Sequence, residues 1–250
     1  MGPVSLLCVA ATAPFSLVLL LGLVAGLANV AGGLLLLRMR AERFLHGFVA
    51  FGAGFLISVA LVEMVPESLR AAPVAGPLWI LAGFCGVHLL EHTLVAHFHF
   101  GEETHANEFL HRSTAYSVTF GLAAHTFFDG IAIASGFAFS SALGWLIFTG
   151  IVLHKLPEGF TVGSVMLASG RSAGAALGAA CALGATTVAG IGAIHIFPGL
   201  SAVGLPLSAG VALYVAATDL LPEVNRTHGI RYRVLFFLGV GLFLLARHVA

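Results

Sequence analysis

The sequence predicts an all-α polytopic membrane protein of eight transmembrane helices in a 3+2+3 inverted-repeat arrangement. Three observations carry this prediction: composition, eight apolar stretches of spanning length, and a likeness between the second and seventh stretches. The 250-residue chain is 59% hydrophobic and only 9% charged, with a mean hydropathy of +1.03, a balance that soluble domains do not have. Formal net charge is zero, and without a basic run the chain is not a nucleic-acid binder. The partners its composition implies are instead a lipid bilayer and whatever the polar groups inside that bilayer hold.

The apolar stretches fall at about 13–37, 46–66, 77–98, 114–138, 142–168, 173–197, 201–222 and 231–249. Each reaches the length that a tilted helix needs to cross the hydrocarbon core. The first begins near residue 4, lacks a basic leader and is too long for a signal-peptide core, so it reads as a retained helix. Leu6 stands where a myristoylation signal needs Ser or Thr. Cys8, Cys85 and Cys181 are far apart in apolar surroundings and read as packing residues. The 31 glycines, with abundant alanine, point to close helix–helix contact.

Basic residues orient the spans. Alternate connections carry Arg38, Arg40 and Arg43; Arg112; Arg171; and Arg226, Arg231 and Arg233, against only Arg70 and Arg247 on the other side. This asymmetry puts the 1–2, 3–4, 5–6 and 7–8 connections in the cytoplasm and both termini outside. GFLISVALVEMVPES (54–68) then aligns with GVALYVAATDLLPEV (210–224), so that Glu63, Pro66 and Glu67 fall on Asp219, Pro222 and Glu223. The topology runs these two helices in opposite directions, which makes the repeat an inverted one with the fourth and fifth helices between its halves. The 3–4 connection holds HFHFGEETHANEFLHR (97–112), whose His97, His99, His105 and His111 are candidate weak metal ligands in an otherwise solvated loop.

The chemistry lies in HTFFDG (125–130) and HKLPEG (154–159). His125 and Asp129, and likewise His154 and Glu158, are four residues apart, about 400° of helix, so each pair projects from nearly one face. A carboxylate at mid-membrane costs roughly 2.5–3.5 kcal/mol on insertion scales, and Lys155 is the only basic one among the mid-helix charges. Two imidazoles and two carboxylates on neighbouring helices suit a borderline divalent cation such as Zn²⁺, Fe²⁺, Mn²⁺, Co²⁺ or Cd²⁺. They are too rich in nitrogen for Mg²⁺ or Ca²⁺, and no thiolate invites Cu(I). Imidazole must be neutral to ligate, so such a site weakens on acidification.

A pattern of polar residue, two further positions, Pro and Glu occurs at Glu63–Glu67, His154–Glu158 and Asp219–Glu223. Proline cannot donate to the carbonyl four residues earlier, which frees those of Val62, Leu153 and Thr218 and predicts a kink at each. Glu63, Glu67, Asp219 and Glu223 are candidate pathway residues. His88, His92 and His195 read as hydrogen-bonded packing residues and Glu91 as a helix-terminus contact.

HTFFDG and HKLPEG resemble the fourth- and fifth-helix signatures of the ZIP (Zrt/Irt-like) metal-ion transporters. The resemblance implies import of a divalent transition metal, zinc foremost, as substrate and not cofactor. It implies His125, Asp129, His154 and Glu158 as ligands, Glu63 and Asp219 along the pathway, and a homodimer in the cell (inner or plasma) membrane. It further implies that the first, fourth, fifth and sixth helices move as an elevator. Two positions depart from the two-metal pattern: Thr126 replaces the frequent Asn or Ser, and Lys155 replaces a second ligand. A lysine ammonium cannot ligate but neutralises a carboxylate, which predicts one metal with Lys155 in the place of a second. The alternative is an intramembrane metal-dependent hydrolase, although the H-E-x-x-H of zincins is missing; a metal sensor without flux is the third possibility.

Overall fold

The structure is a computed structural model and describes residues 13–38, 42–93 and 112–249. These form eight helical rods, α1 to α8 in chain order, with no strand among the described residues. α1 is Phe15–Arg38, α3 Gly76–Thr93, α4 Arg112–Phe139, α5 Ser141–Ala168, α6 Ala173–Ile196 and α8 Ile230–Val249. α2 (42–71) and α7 (201–226) are composite. Each contains a π-helical turn, Ala60–Met64 in α2 and Val215–Leu220 in α7, followed by a short α-helical end. Six of the rods are long and apolar enough to cross a membrane. The other two are α3, which carries His88, Glu91 and His92, and α5, which carries His154, Lys155 and Glu158. The candidate loop ligands His97, His99, His105 and His111 lie outside the described residues.

The shared Pro-Glu pattern predicts three equal kinks, but the structure separates them. Pro66 and Pro222 each open the helical segment that follows a π-helical turn, so α2 and α7 run about four residues past their predicted ends. Glu63 and Asp219 sit within those turns, at matching points of the 54–68 and 210–224 repeat. Pro157 instead lies inside an unbroken α5. The Leu153 carbonyl that it would leave free faces Gly52 of α2, where an added Cβ would stand 3.3 Å from the oxygen.

Ser140 is the single residue between α4 and α5. Its backbone is extended and its hydroxyl accepts a hydrogen bond from the Leu143 amide at 3.1 Å, which caps α5. The corner fixes the register of the two motifs. His125 lies fifteen residues before Ser140 and His154 fourteen after it, each about 21 Å of helix away. The two histidines therefore meet at one level. At the far end of α5, Gly170 adopts φ 75° and bonds back to Leu167 while Arg171 bonds to Met166, a Schellman turn that leads directly into α6.

Small residues set how closely the rods approach. A Cβ on Gly159 of α5 would lie 1.9 Å from the Asn29 carbonyl of α1, and one on Gly190 of α6 would lie 2.0 Å from the Phe127 carbonyl of α4. Gly26 and Gly184 face each other where α1 meets α6, and a Cβ on either would lie 2.8–2.9 Å from the other's carbonyl. α1, α4, α5 and α6 thus form one bundle whose backbones touch. Gly54 and Gly239 join α2 to α8, and Gly83 and Gly210 join α3 to α7, in the same manner. Between the first bundle and the other four helices the contacts are mostly made by side chains, with Gly150 against Phe55 and Ser208 donating to the Phe128 carbonyl at 3.1 Å.

Gly190→Ala is expected to destabilise the detergent-solubilised protein by about 1–3 kcal/mol, because its new methyl meets a carbonyl. Gly192→Ala, on the same helix but facing open space, is expected to be neutral or slightly stabilising. Thermal unfolding of the two variants side by side checks the packing; equal melting temperatures would contradict it.

Candidate metal centre

α4 supplies His125, Thr126 and Asp129, and α5 supplies His154, Lys155 and Glu158; all six are buried. One ligand atom from each of His125, Asp129, His154 and Glu158 lies within 4.8 Å of the others. It is the one such convergence of three or more His, Cys, Asp or Glu among the described residues. Asp129 Oδ2 is the focus. It is 3.2 Å from His125 Nε2, 3.3 Å from His154 Nε2 and 2.6 Å from Lys155 Nζ. Lys155 Nζ also donates to Glu158 Oε2 at 2.6 Å and to Thr126 Oγ1 at 3.1 Å. The Thr126 hydroxyl donates in turn to Glu158 Oε1 at 2.5 Å.

The His154 ring is oriented to present a lone pair. His154 Nδ1 lies 3.0 Å from the Gly150 carbonyl, an oxygen that can only accept. That bond holds the proton on Nδ1 and leaves Nε2 of the neutral ring as an acceptor. Nε2 therefore faces Asp129 Oδ2, acceptor against acceptor, an arrangement that a cation between them relieves. His125 Nδ1 is buried with no hydrogen-bond partner, so that ring too has capacity to spare. Charge points the same way: two carboxylates against one ammonium leave one net negative charge in a buried site.

Sequence reasoning places Lys155 against Asp129 or Glu158; it bridges both. Asn29 escapes that reasoning. The carboxamide of this fully buried α1 residue meets only acceptors on one side, so its nitrogen is assigned there, 3.3 Å from Glu158 Oε2 and 2.5 Å from the Lys155 carbonyl. A lone carboxamide in an otherwise apolar α1 is the signal that could have found it.

The pathway candidates do not join this cluster. Glu63 pairs with Arg247 Nε at 2.5 Å and Glu67 with Arg70. Both line a cavity of about 290 Å³ together with Ser140 and Leu146 at the α4–α5 corner. Glu223 lies 3.4 Å from His46 Nε2. Asp219 accepts from Thr218 Oγ1 at 3.1 Å and shares its surroundings with Glu91. Glu91 is thus more than a helix-terminus contact, since it shares its surroundings with Tyr214 and Asp219 of α7. His88 and His92 stack on each other with centroids 4.2 Å apart, and His195 stacks on Phe15 at 4.1 Å, as packing residues do.

A sequence profile of the ZIP zinc transporter family matches residues 101–247, more than half of the chain. The chain belongs to the ZIP zinc transporter family. Against zinc transporter YKE4 of Saccharomyces cerevisiae it is 25% identical over 218 residues, covering 74% of this chain and 62% of the relative. Against zinc transporter zipt-7.1 of Caenorhabditis briggsae it is 26% identical over 243 residues, covering 72% and 62%. The human zinc transporter ZIP4 is 33% identical over 135 residues, 52% of this chain but 21% of that protein. The chain therefore spans less than two thirds of the length of each of these relatives. ZIP membership together with the long apolar helices makes it an integral membrane protein.

Lys155→Met leaves two buried carboxylates facing each other without their ammonium. In the absence of metal this is expected to cost about 3–5 kcal/mol of stability. Added Zn²⁺ is then expected to raise the melting temperature of the variant more than that of the wild type. Equal metal-free melting of the two proteins would contradict the bridging role.

Proposed function

We propose that this ZIP protein imports a divalent transition metal, zinc foremost, through a site made by His125, Asp129, His154 and Glu158. The convergence of these four buried donors around one point is the observation that carries the reading. It is supported by the family match and by relatives that are themselves named zinc transporters. The metal is the cargo; no cofactor is called for, and the protein acts as a carrier, not an enzyme.

On this reading residues 1–250 form a single transporter domain of eight spans with both termini outside, built as a 3+2+3 inverted repeat. The paired π-helical turns at Glu63 and Asp219, in two rods whose sequences match, support the repeat. α1, α4, α5 and α6 move together against α2, α3, α7 and α8 within each half of a homodimer. The backbone-tight packing inside each set, and the side-chain contacts between them, support that division. Glu63 and Glu67 stand at the outer approach, and Asp219, Glu223 and the 97–112 loop stand along the cytoplasmic exit.

A protonated Lys155 in contact with both acids leaves place for one metal. The ion would displace the ammonium from Asp129 Oδ2 and take His125 Nε2, His154 Nε2, Asp129 and Glu158 as donors, a set that zinc accepts. Asn29 and Thr126 hold Glu158 while the ammonium moves.

Alanine at His154 or at Glu158 is expected to lower metal uptake into proteoliposomes at least tenfold while the protein remains monodisperse. Wild-type flux in either variant would refute the site, and peptide or lipid turnover without flux would assign the hydrolase instead. Anomalous scattering from zinc-soaked crystals is expected to show one peak between α4 and α5; two peaks would refute the place given to Lys155.

A further inference from the structure

A second, unrelated feature lies at the arginine-bearing end of the molecule. α2, α5 and α8 leave between them a fissure of about 430 Å³ lined by Phe44, Phe48 and Phe51 of α2, Leu153 of α5, and Tyr232 and Leu235 of α8, with Arg231 beside them. Its walls are aromatic and aliphatic, and Gly47 opens the α2 side, since no side chain there projects toward Leu235. Phe44 to Phe51 is seven residues of helix, so the fissure descends about 10 Å from its mouth. Phe44 is 55% exposed and packs on Phe48 at 4.8 Å. In a bilayer, an apolar cleft of this depth that opens sideways is filled by hydrocarbon.

The mouth is cationic. Arg231 is exposed, lays its guanidinium over the Tyr232 ring 4.4 Å from the centroid and donates to the Tyr232 hydroxyl. No carboxylate among the described residues pairs with it. The nearby acid that could do so, Glu223, is turned to His46, and the His46 ring in turn meets Tyr232 edge-on at 6.1 Å. Arg226 and Arg233 flank the same short α7–α8 connection, also without a carboxylate partner among the described residues. An arginine on an aromatic platform, with no carboxylate partner among the described residues, is complementary to a phosphodiester. Basic pockets between membrane helices on the cytoplasmic side hold anionic headgroups for this reason.

We propose that this fissure is a binding site for one anionic phospholipid, with an acyl chain along Phe44, Phe48, Phe51 and Leu235 and its headgroup phosphate on Arg231. The site is independent of the metal centre, although Leu153 makes one wall of it and immediately precedes His154. The lipid thus lies in the seam between the bundle that carries the metal ligands and the helices it packs against.

Native mass spectrometry of the intact, detergent-solubilised protein tests this, with palmitoyl-oleoyl phosphatidylglycerol and phosphatidylcholine as probes. The wild type is expected to retain one phosphatidylglycerol under conditions that strip phosphatidylcholine, and millimolar inorganic phosphate is expected not to displace it. Arg231→Gln, a surface change that spares the fold, is expected to weaken retention about tenfold. Gly47→Leu, which places a side chain in the cleft, is expected to abolish it. Equal retention of the two lipids, or unchanged phosphatidylglycerol binding in Arg231→Gln, would overturn the proposal. Loss of metal flux in a variant that still retains lipid bears on the metal site alone, so the two readings fail separately.

Discussion

The metal centre and the helix packing around it are arranged about two carboxylates held where water does not reach them. Asp129 and Glu158 are each almost wholly buried, and leaving either without a partner there costs about 3–5 kcal/mol, a large share of the stability of a fold. The chain meets this with a tethered cation. Lys155 stands within 2.6 Å of both acids, Thr126 links the ammonium to the second oxygen of Glu158, and Asn29 closes the network from a third helix. The network is worth more for its geometry than for its energy, because buried ion pairs seldom outperform apolar packing. What it secures is a set of acids and imidazoles that stay converged while empty.

That convergence depends on backbones being close, and closeness is a property of glycine. Gly159 lets Asn29 approach α5, and Gly130 and Gly190 let α6 lie against α4 beside Asp129. In a lipid solvent there is little hydrophobic drive between helices, so dispersion across such close approaches and hydrogen bonds hold the bundle. The same residues that make the α1–α4–α5–α6 group rigid also separate it from its neighbours. Backbone carbonyls seated directly on glycines interlock and resist sliding, whereas a side chain such as Phe55, which meets Gly150, can repack against a new neighbour. Rigidity within a group and repacking between groups are what a rocking or sliding transporter needs.

Much of this was legible in the sequence, for reasons particular to each feature. The four donors could be read because intramembrane carboxylates are rare and the i, i+4 spacing fixes their face; the one-residue corner at Ser140 then places both pairs at the same depth. The helix limits could be read from apolar length, except where Pro66 and Pro222 continue a helix that proline usually ends. The unequal effect of the three prolines was hidden, since it depends on which helix packs over the freed carbonyl: Gly52 covers that of Leu153, while α2 and α7 take up π-helical turns instead. Asn29 was hidden because its partners stand more than a hundred residues away along the chain and no local spacing records them. The meeting of Glu91 with Tyr214 and Asp219 was hidden for the same reason, as was the fissure beneath Arg231, which exists only where three helices diverge.

On the proposed reading, the lysine also bears on how the carrier returns without metal. With neutral imidazoles, the metal-free cluster carries one net negative charge, and a divalent ion changes that to one net positive charge. The magnitude of charge buried in the bundle is the same in both states, so its desolvation imposes a similar cost on the loaded and the empty journey. Without Lys155 the empty site would carry two negative charges and the loaded site none, and the empty return would be the step that stalls. On the proposed reading, an incoming ion must also compete for Asp129 with an ammonium at 2.6 Å, which favours a doubly charged ion over a singly charged one, and the lysine does this from a position that, in a two-metal site, a second ion would fill.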